Sequence, residues 1–324
     1  MKKEFNLKNS NVLVTGGAGF IGSALVRELE KVECQVTVLD SLIAGLPEHL
    51  DGTKSHLVEG DIRNTDLLKE ILRRDKIDYC FHLAAEPYIP KGYQNPELMF
   101  EINTIGTINV LKQCHKAKVK RIIYFSTSEI YGTAQTLPMG ENHPIAPHSI
   151  YACAKLAADR ACFILWKEQN IPVIVLRQFN CFGPREAQPY IIPELISQFS
   201  RRTELHLGNI NARRDFTYCH DAAKGVMKLI EVPNTGALIV NHGRGKNWSI
   251  KEIAKHVADV MGIKNYTIVQ ENKRMRPYDV DELLCDNTLF NQLTGGTDFI
   301  SFDDGLKRTI DWYNKHGKKW SWEE

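Results

Sequence analysis

The sequence predicts an α/β fold in which a doubly wound parallel sheet is followed by a smaller α/β unit. Three observations predict it. Short strand-like runs alternate with helical patterns through the first half of the chain. Those runs are apolar without a polar alternate, so both of their faces must be buried, as in a parallel sheet between helices. Glycines cluster where the first such run meets the first helix.

Asn11 to Thr15 (NVLVT) is the first strand, and Ile21, Leu25, Val26 and Leu29 mark one face of the helix after it. Gln35 to Leu39 (QVTVL), Ser55 to Val58, a helix starting near Asn64, and Tyr79 to Leu83 (YCFHL) follow. A long helix near Pro96 to Lys116 leads to Arg121 to Phe125 (RIIYF). A second long helix runs from about Ser149 to Lys167, and Pro172 to Arg177 is one more strand. After Pro184 the alternation loosens. Helices are predicted at Pro193 to Arg201, Asp221 to Glu231, Ile250 to Met261 and Asp304 to Tyr313, the third with a capping-box pattern in Ser249 and Glu252. The expected division is a dinucleotide-binding unit over 1–180 and a substrate-binding unit over 181–324, with later segments returning to the first.

Composition excludes several classes. The 324 residues, 43% apolar and 25% charged, suit a globular protein with a real core. A net charge of +2 offers no field for nucleic acid or an anionic membrane. No run approaches the ~20 apolar residues of a membrane span. Met1 to Ser10 has three lysines but no apolar core of a signal peptide. Eight cysteines without a CxxC pair read as buried free thiols in a reducing cytoplasm, with no metal site.

Thr15-Gly-Gly-Ala-Gly-Phe-Ile-Gly22 sets Gly16, Gly19 and Gly22 between strand and helix, with Phe20 and Ile21 opening the helix. Only residues without Cβ allow the tight turn and the close approach of a pyrophosphate, which the helix N-terminus then receives. This is the Rossmann pattern. Asp40 ends the next strand, where an acid accepts from the adenosine ribose and repels a 2′-phosphate. Ser41 and Leu42 bring no arginine, so NAD is favoured over NADP. Asp61, in Glu59-Gly-Asp-Ile62, could meet the adenine amino group, or be a turn carboxylate at a helix start.

Tyr151-Ala-Cys-Ala-Lys155 puts a phenol and an ammonium one helical turn apart. The ammonium is expected to depress the phenol from its usual pKa of about 10, making it a base near neutrality.

Together with His82-Leu-Ala-Ala85, Asn103 in an NxxGT stretch, Thr127 ahead of the YxxxK pair, Asn180-Cys-Phe-Gly-Pro184, Arg214-Asp-Phe-Thr-Tyr218, and Arg276 with Asp279 and Asp286, these motifs resemble the extended short-chain dehydrogenase/reductases that modify nucleotide sugars. The likeness covers nearly the whole chain. It implies an NAD site that includes Ile62, Leu83, Ala84, Ala85 and Asn103 besides the residues above. It implies that Thr127 bonds the sugar 4-OH, that Tyr151 takes its proton, and that Lys155 also holds the nicotinamide ribose. Glu86, Asn180, Arg214, Arg276 and Asp279 become contacts to a nucleotide-diphosphate sugar, since a guanidinium fork suits a diphosphate. Taken singly, the arginines are equally readable as surface ion pairs.

Glu129 separates reactions within that family. Beside a 4-keto sugar, a carboxylate can remove the acidified C5 proton so that the 6-OH leaves as water, a 4,6-dehydration. Members that act as 4-epimerases are usually small or apolar there. The Thr127-Ser128-Glu129 triplet resembles the GDP-mannose and UDP-N-acetylhexosamine dehydratases, and also the UDP-glucuronate decarboxylases. Ser128 stands where dehydratases of the dTDP-glucose type have an aspartic acid. The expectation is therefore a 4,6-dehydratase, with a 4-epimerase or a decarboxylase as alternatives and a solvent-facing loop carboxylate as the plain reading of Glu129. Helices near 96–116 and 149–167, with Ile105, Ile108, Leu111, Leu156, Ala161 and Ile164, are expected to form a homodimer interface by the same resemblance.

Overall fold

The computed structural model describes residues 6–233, 238–275 and 278–317. The strands are β1 (Asn11–Thr15), β2 (Gln35–Asp40), β3 (His56–Glu59), β4 (Tyr79–His82), β5 (Arg121–Thr127), β6 (Val173–Gln178), β7 (Asn180–Phe182), β8 (Glu204–Leu207), β9 (Arg213–Tyr218), β10 (Leu238–His242), β11 (Asn247–Ser249) and β12 (Thr267–Gln270). The α-helices are α1 (Phe20–Lys31), α2 (Thr65–Arg74), α3 (Ile89–Gln94), α4 (Pro96–Phe100), α5 (Thr107–Lys116), α6 (Ile150–Gln169), α7 (Ile191–Phe199), α8 (Cys219–Lys228), α9 (Ile250–Met261), α10 (Thr288–Thr294) and α11 (Phe302–His316).

Seven strands form one parallel sheet in the order β10-β6-β5-β4-β1-β2-β3. Alternation along each strand serves two cores. Val12, Val14, Phe81 and Ile123 pack on Leu25 and Leu29 of α1 and Val226 of α8. Leu13, Cys80 and Ile122 pack on Leu68 and Ile71 of α2, Leu111 of α5 and Cys162 of α6. Because both faces are covered, the sheet sequences carry no polar alternate, as expected. The order reverses between β1 and β4, so a crevice opens at the carboxyl ends of these strands, where such sheets bind ligands.

The second half is built differently. A three-stranded sheet β11-β9-β7 and a parallel pair β12-β8 surround Phe182, Leu195, Phe216, Trp248, Ile253 and Phe302. These strands run from three to six residues, too short for a periodic signal. Strand β10, from this half of the sequence, adds to the edge of the large sheet through β6.

The first long helix is not uniform. Between α4 and α5 the chain forms a π-helical segment, Glu101–Gly106. The capping box of α9 is present, with Ser249 accepting from the Glu252 N–H and Glu252 from the Ser249 N–H. All eight cysteines are free, and all but Cys153 are buried. Among the described residues, no helix is long and apolar enough to cross a membrane.

Candidate active site

The crevice at the switch point deepens into a cavity of about 550 Å³. It is lined by Gly16, Gly19, Phe20, Ile21 and Gly22 from the glycine loop, and by Asp40, Ser41, Asp61, Ile62, Leu83, Ala84, Ala85 and Glu86 from the strand ends beside it. Thr127, Ser128, Glu129, Tyr151, Lys155, Asn180, Arg214 and Asp279 line it as well. Asn103 does not. Arg276 lies outside the described residues.

The glycine loop is closed on itself. Gly16 has φ +74°, and a Cβ there would sit 2.7 Å from the Ala84 nitrogen. A Cβ on Gly22 would run into the Gly16 carbonyl oxygen. That cradle leaves the first N–H groups of α1 facing the cavity, as a pyrophosphate requires. At the end of β2, Asp40 is buried, which raises its pKa against the opposing N–H groups of Leu42 and Ala18. Its Oδ2 accepts from Ala18 at 3.0 Å and its Oδ1 from Leu42 at 2.9 Å. Each oxygen keeps a second lone pair for a ribose hydroxyl. Cradle and carboxylate thus fit a dinucleotide.

Asp61 is gripped by Arg63 through Nη2 at 2.8 Å and through its N–H at 2.7 Å, which holds the carboxylate below its usual range. It is a turn carboxylate that also faces the cavity. Asn103, on the π-helical segment, clamps the loop after β4. Its Oδ1 accepts from the Glu86 N–H at 2.8 Å and its Nδ2 donates to the Glu86 carbonyl at 3.1 Å. The Glu86 carboxylate takes Lys91 at 2.8 Å and the Tyr88 N–H at 3.1 Å. His82 is a structural residue: fully buried, it meets Thr15 Oγ1 at 2.7 Å and Thr107 Oγ1 at 2.9 Å, and burial pushes its pKa down to about 3.

The phenol and ammonium of α6 both reach the cavity, but their electrostatics differ from the sequence expectation. Burial raises Tyr151 well above its usual value, the Glu129 charge adds to that, and the hydrogen bond with Thr127 opposes it. Lys155 is not among the causes of that shift. Its Nζ donates to the Phe125 carbonyl at 2.5 Å and lies 4.3 Å from the Tyr124 ring centroid. Burial lowers Lys155 to about 7, so its charge is partial at neutrality. The expected depression of Tyr151 by Lys155 is therefore absent. The polar partner of the phenol is Thr127, whose hydroxyl also accepts from the Glu129 N–H at 3.2 Å. Thr127 so binds the phenol to the short turn Ser128–Tyr131 that carries the carboxylate.

At the far side, Arg214 is buried, with Nη2 3.4 Å from Asp279 Oδ1 and Nη1 2.9 Å from the Arg213 carbonyl. It is a braced cavity guanidinium rather than a surface ion pair. Asn180 Oδ1 is buried without a hydrogen-bond partner among the described residues. Arg185, Glu186 and Arg274 also line the cavity; the sequence points to the first two only as part of the stretch 185–210, expected to line the sugar and base sites without individual contacts, and does not point to Arg274. The run Arg185-Glu186 directly after Gly183-Pro184 was the available signal.

The comparisons with known proteins agree with this construction. Residues 12–243 match the NAD dependent epimerase/dehydratase family. A Methanocaldococcus jannaschii protein, provisionally named a UDP-glucose 4-epimerase, is 30% identical over 95% of this chain and 99% of its own length. The UDP-N-acetylglucosamine 4-epimerase of Methanobrevibacter ruminantium superposes with a TM-score of 0.87 at 28% identity, covering 96% of this chain and 100% of that one. The dTDP-glucose 4,6-dehydratase of Streptomyces venezuelae, solved with NAD bound, gives 0.87 at 28% identity over 96% and 99%. With a closed glycine cradle, an acid at the end of β2 and the Tyr151–Lys155 helix at one cavity, the chain belongs to the NAD-dependent epimerase/dehydratase family of nucleotide-sugar enzymes, on the extended short-chain dehydrogenase/reductase fold.

Proposed function

We propose that the chain is a nucleotide-sugar 4,6-dehydratase. The observation that carries this reading is the position of Glu129. Its carboxylate lines the cavity, acts electrostatically on Tyr151, and is tied through its own N–H to the Thr127 hydroxyl. A base held there meets a sugar whose 4-OH lies between Thr127 and Tyr151.

NAD, when bound, supplies hydride acceptance and return. Tyr151 takes the 4-OH proton as phenolate while Thr127 holds the oxygen; the burial that raises this phenol is opposed by the cationic ring that oxidised NAD would bring into the cavity. Glu129 then removes the C5 proton, which the adjacent 4-ketone acidifies. The same carboxyl returns that proton to the departing 6-OH, because Ser128 offers no acid. One water is lost, the returned hydride makes C6 a methyl group, and C5 regains a proton from solvent that balances the one Tyr151 releases. Lys155, anchored on the Phe125 carbonyl, keeps the nicotinamide ribose end in register. Arg214 and Asn180 hold the diphosphate and its ribose.

A 4-epimerase is the second reading, favoured by the relatives of that name. Incubation with UDP-, GDP- and dTDP-hexoses in D2O separates the two. A product one water lighter, with a C6 methyl and deuterium at C5, supports the dehydratase. A product of unchanged mass with inverted C4 replaces it with the epimerase.

Phe100 on α4, Ile105 on the π-helical segment and Ile164 on α6 are exposed, while Leu111 is fully buried in the core beneath. We propose that a second copy of the chain covers these exposed residues.

A further inference from the structure

Two adjacent cavity residues remain outside the reaction just described. Glu186 is 5% exposed and lines the cavity, yet its Oε2 has no hydrogen-bond partner among the described residues. Its neighbour Arg185 also lines the cavity, and its Nη1 is likewise buried and unpartnered. They do not pair with each other. The backbone at Arg185 has φ +71°, in the left-handed region.

A carboxyl and a guanidinium left unsatisfied at one wall each cost free energy unless a ligand completes them. A charged carboxylate would repel an anion, but an uncharged carboxyl is a donor. The ligand that satisfies both is thus an anionic cluster of acceptors. The surroundings point to which one. A Cβ on Gly183 would lie 3.5 Å from the Phe20 ring, the first residue of α1. The Arg185 charge acts on His49, whose Nδ1 meets the Ala18 carbonyl inside the glycine loop at 2.9 Å. The wall therefore adjoins the α1 end of the cavity.

We propose that Glu186, as an uncharged carboxyl, donates a hydrogen bond to a diphosphate oxygen of the dinucleotide, beside the Arg185 guanidinium. The inference rests on NAD occupying the glycine loop. Burial alone acts on the Glu186 carboxyl and raises it well above its usual range, with no cation opposing the shift. The titratable groups packed near it are the Cys181 thiol of β7 and the Cys219 thiol at the start of α8, both raised by burial. Tyr313 of α11 donates to the Glu186 carbonyl at 2.6 Å, not to its carboxyl. Arg185 itself is lowered to about 10 by burial and by Arg27.

The test is calorimetric titration of protein freed of nucleotide with ADP-ribose, which keeps the diphosphate and lacks nicotinamide, and with UDP, GDP and dTDP. Wild type, Glu186→Gln and Glu186→Leu are compared, each with its melting temperature. Glu186→Gln keeps a neutral donor and is expected to bind ADP-ribose within about twofold of wild type, whereas Glu186→Leu loses about tenfold or more. Nucleoside diphosphate binding should not change. Wild-type affinity for ADP-ribose should fall as pH rises and the carboxyl ionises, and the glutamine variant should be flat. Neither variant should melt below wild type, since an unsatisfied buried carboxyl is removed. Equal ADP-ribose binding by all three proteins overturns the proposal. So does an equal loss for the nucleoside diphosphates, or a lowered melting temperature in both variants. Failure of wild type itself to bind ADP-ribose would instead remove the cofactor premise.

Discussion

Arg177 of β6 and Asp159 of α6 form a buried ion pair, Nε to Oδ2 at 3.0 Å and Nη2 to Oδ1 at 3.2 Å. Asp159 lies one helical turn beyond Lys155 and also accepts from Ser126 Oγ at 3.1 Å. Arg177 reaches on to the Tyr131 hydroxyl at 3.0 Å, and Tyr131 donates to Asn241 Oδ1 at 2.7 Å. One network therefore ties α6, the helix that carries Tyr151 and Lys155, to β5, β6 and β10. Removing one member leaves a buried charge uncompensated, at a cost of about 3–5 kcal/mol. Asp159→Ala should lower the urea unfolding free energy by about that much. Replacing both residues with leucine should cost less than the two single changes summed. Strict additivity would mean the pair is not coupled.

Lys155 gives the fold a pH signature. Its ordinary pKa is 10.5 and burial brings it to about 7 in the folded chain. Between those values the unfolded chain binds a proton that the folded chain does not. Stability must then rise with pH across this window, by up to about 1.4 kcal/mol per unit, and level off above it. Buried thiols and phenols act in the opposite direction at the alkaline end, so the useful quantity is the difference from Lys155→Met, in which their effects cancel. Parallel stability–pH curves for the two proteins would refute the shift.

The glycine loop offers a controlled comparison. In Gly22→Ala the new methyl meets the Gly16 carbonyl oxygen and, at 2.8 Å, the Gly17 Cα, so the loop must move. NAD binding should weaken by more than about tenfold, the effect of losing one or two phosphate N–H contacts. Gly52 has φ +75°, and a Cβ there would meet nothing within 4 Å. Gly52→Ala should cost only about 1 kcal/mol of stability through its backbone and leave NAD affinity alone. If both variants bind NAD like wild type, the cradle does not contact the phosphates.

What the sequence disclosed and what it hid have physical reasons. Strands such as Arg121–Thr127 are buried on both faces, so their burial is written in consecutive residues. The loop from Gly16 to Gly22 and the pair Tyr151 and Lys155 are local in sequence, and so were readable. Strands β7 to β12 have three to six residues and take their pairing from distant segments, so no period marks them. The direction of the Lys155 ammonium, toward Phe125 rather than Tyr151, depends on a carbonyl 30 residues away. Tyr131 and Asn241 meet across 110 residues. Arg185 and Glu186 follow Gly183-Pro184 in sequence, but only the cavity wall shows that each holds a buried polar atom without a partner among the described residues.

Exposed apolar residues on α4, the π-helical segment and α6 predict self-association, since such a patch in water is a cost that a second copy removes. Ile105 and Ile164 are 52% and 46% exposed. Sedimentation should give a dimer for wild type and a monomer for the Ile105→Glu, Ile164→Glu double variant, with the cavity residues untouched. A wild type that sediments as a monomer at every concentration would dismiss the interface.

Glu129→Gln separates the candidate reactions at one atom. The amide keeps the size of the side chain and leaves the Glu129 N–H on Thr127, so the grip on the 4-OH survives. What disappears is the ability to take a proton from C5. For a dehydratase, water loss and deuterium uptake at C5 should fall together by about 10²–10⁴-fold, the usual weight of a positioned base. For a 4-epimerase, C5 is never touched, and inversion at C4 should continue near the wild-type rate. Tyr151→Phe is the complement, since it removes the group that takes the 4-OH proton and should abolish either reaction. An enzyme that still expels water with Glu129→Gln would place the base elsewhere in the cavity and take away the observation on which the dehydratase reading stands.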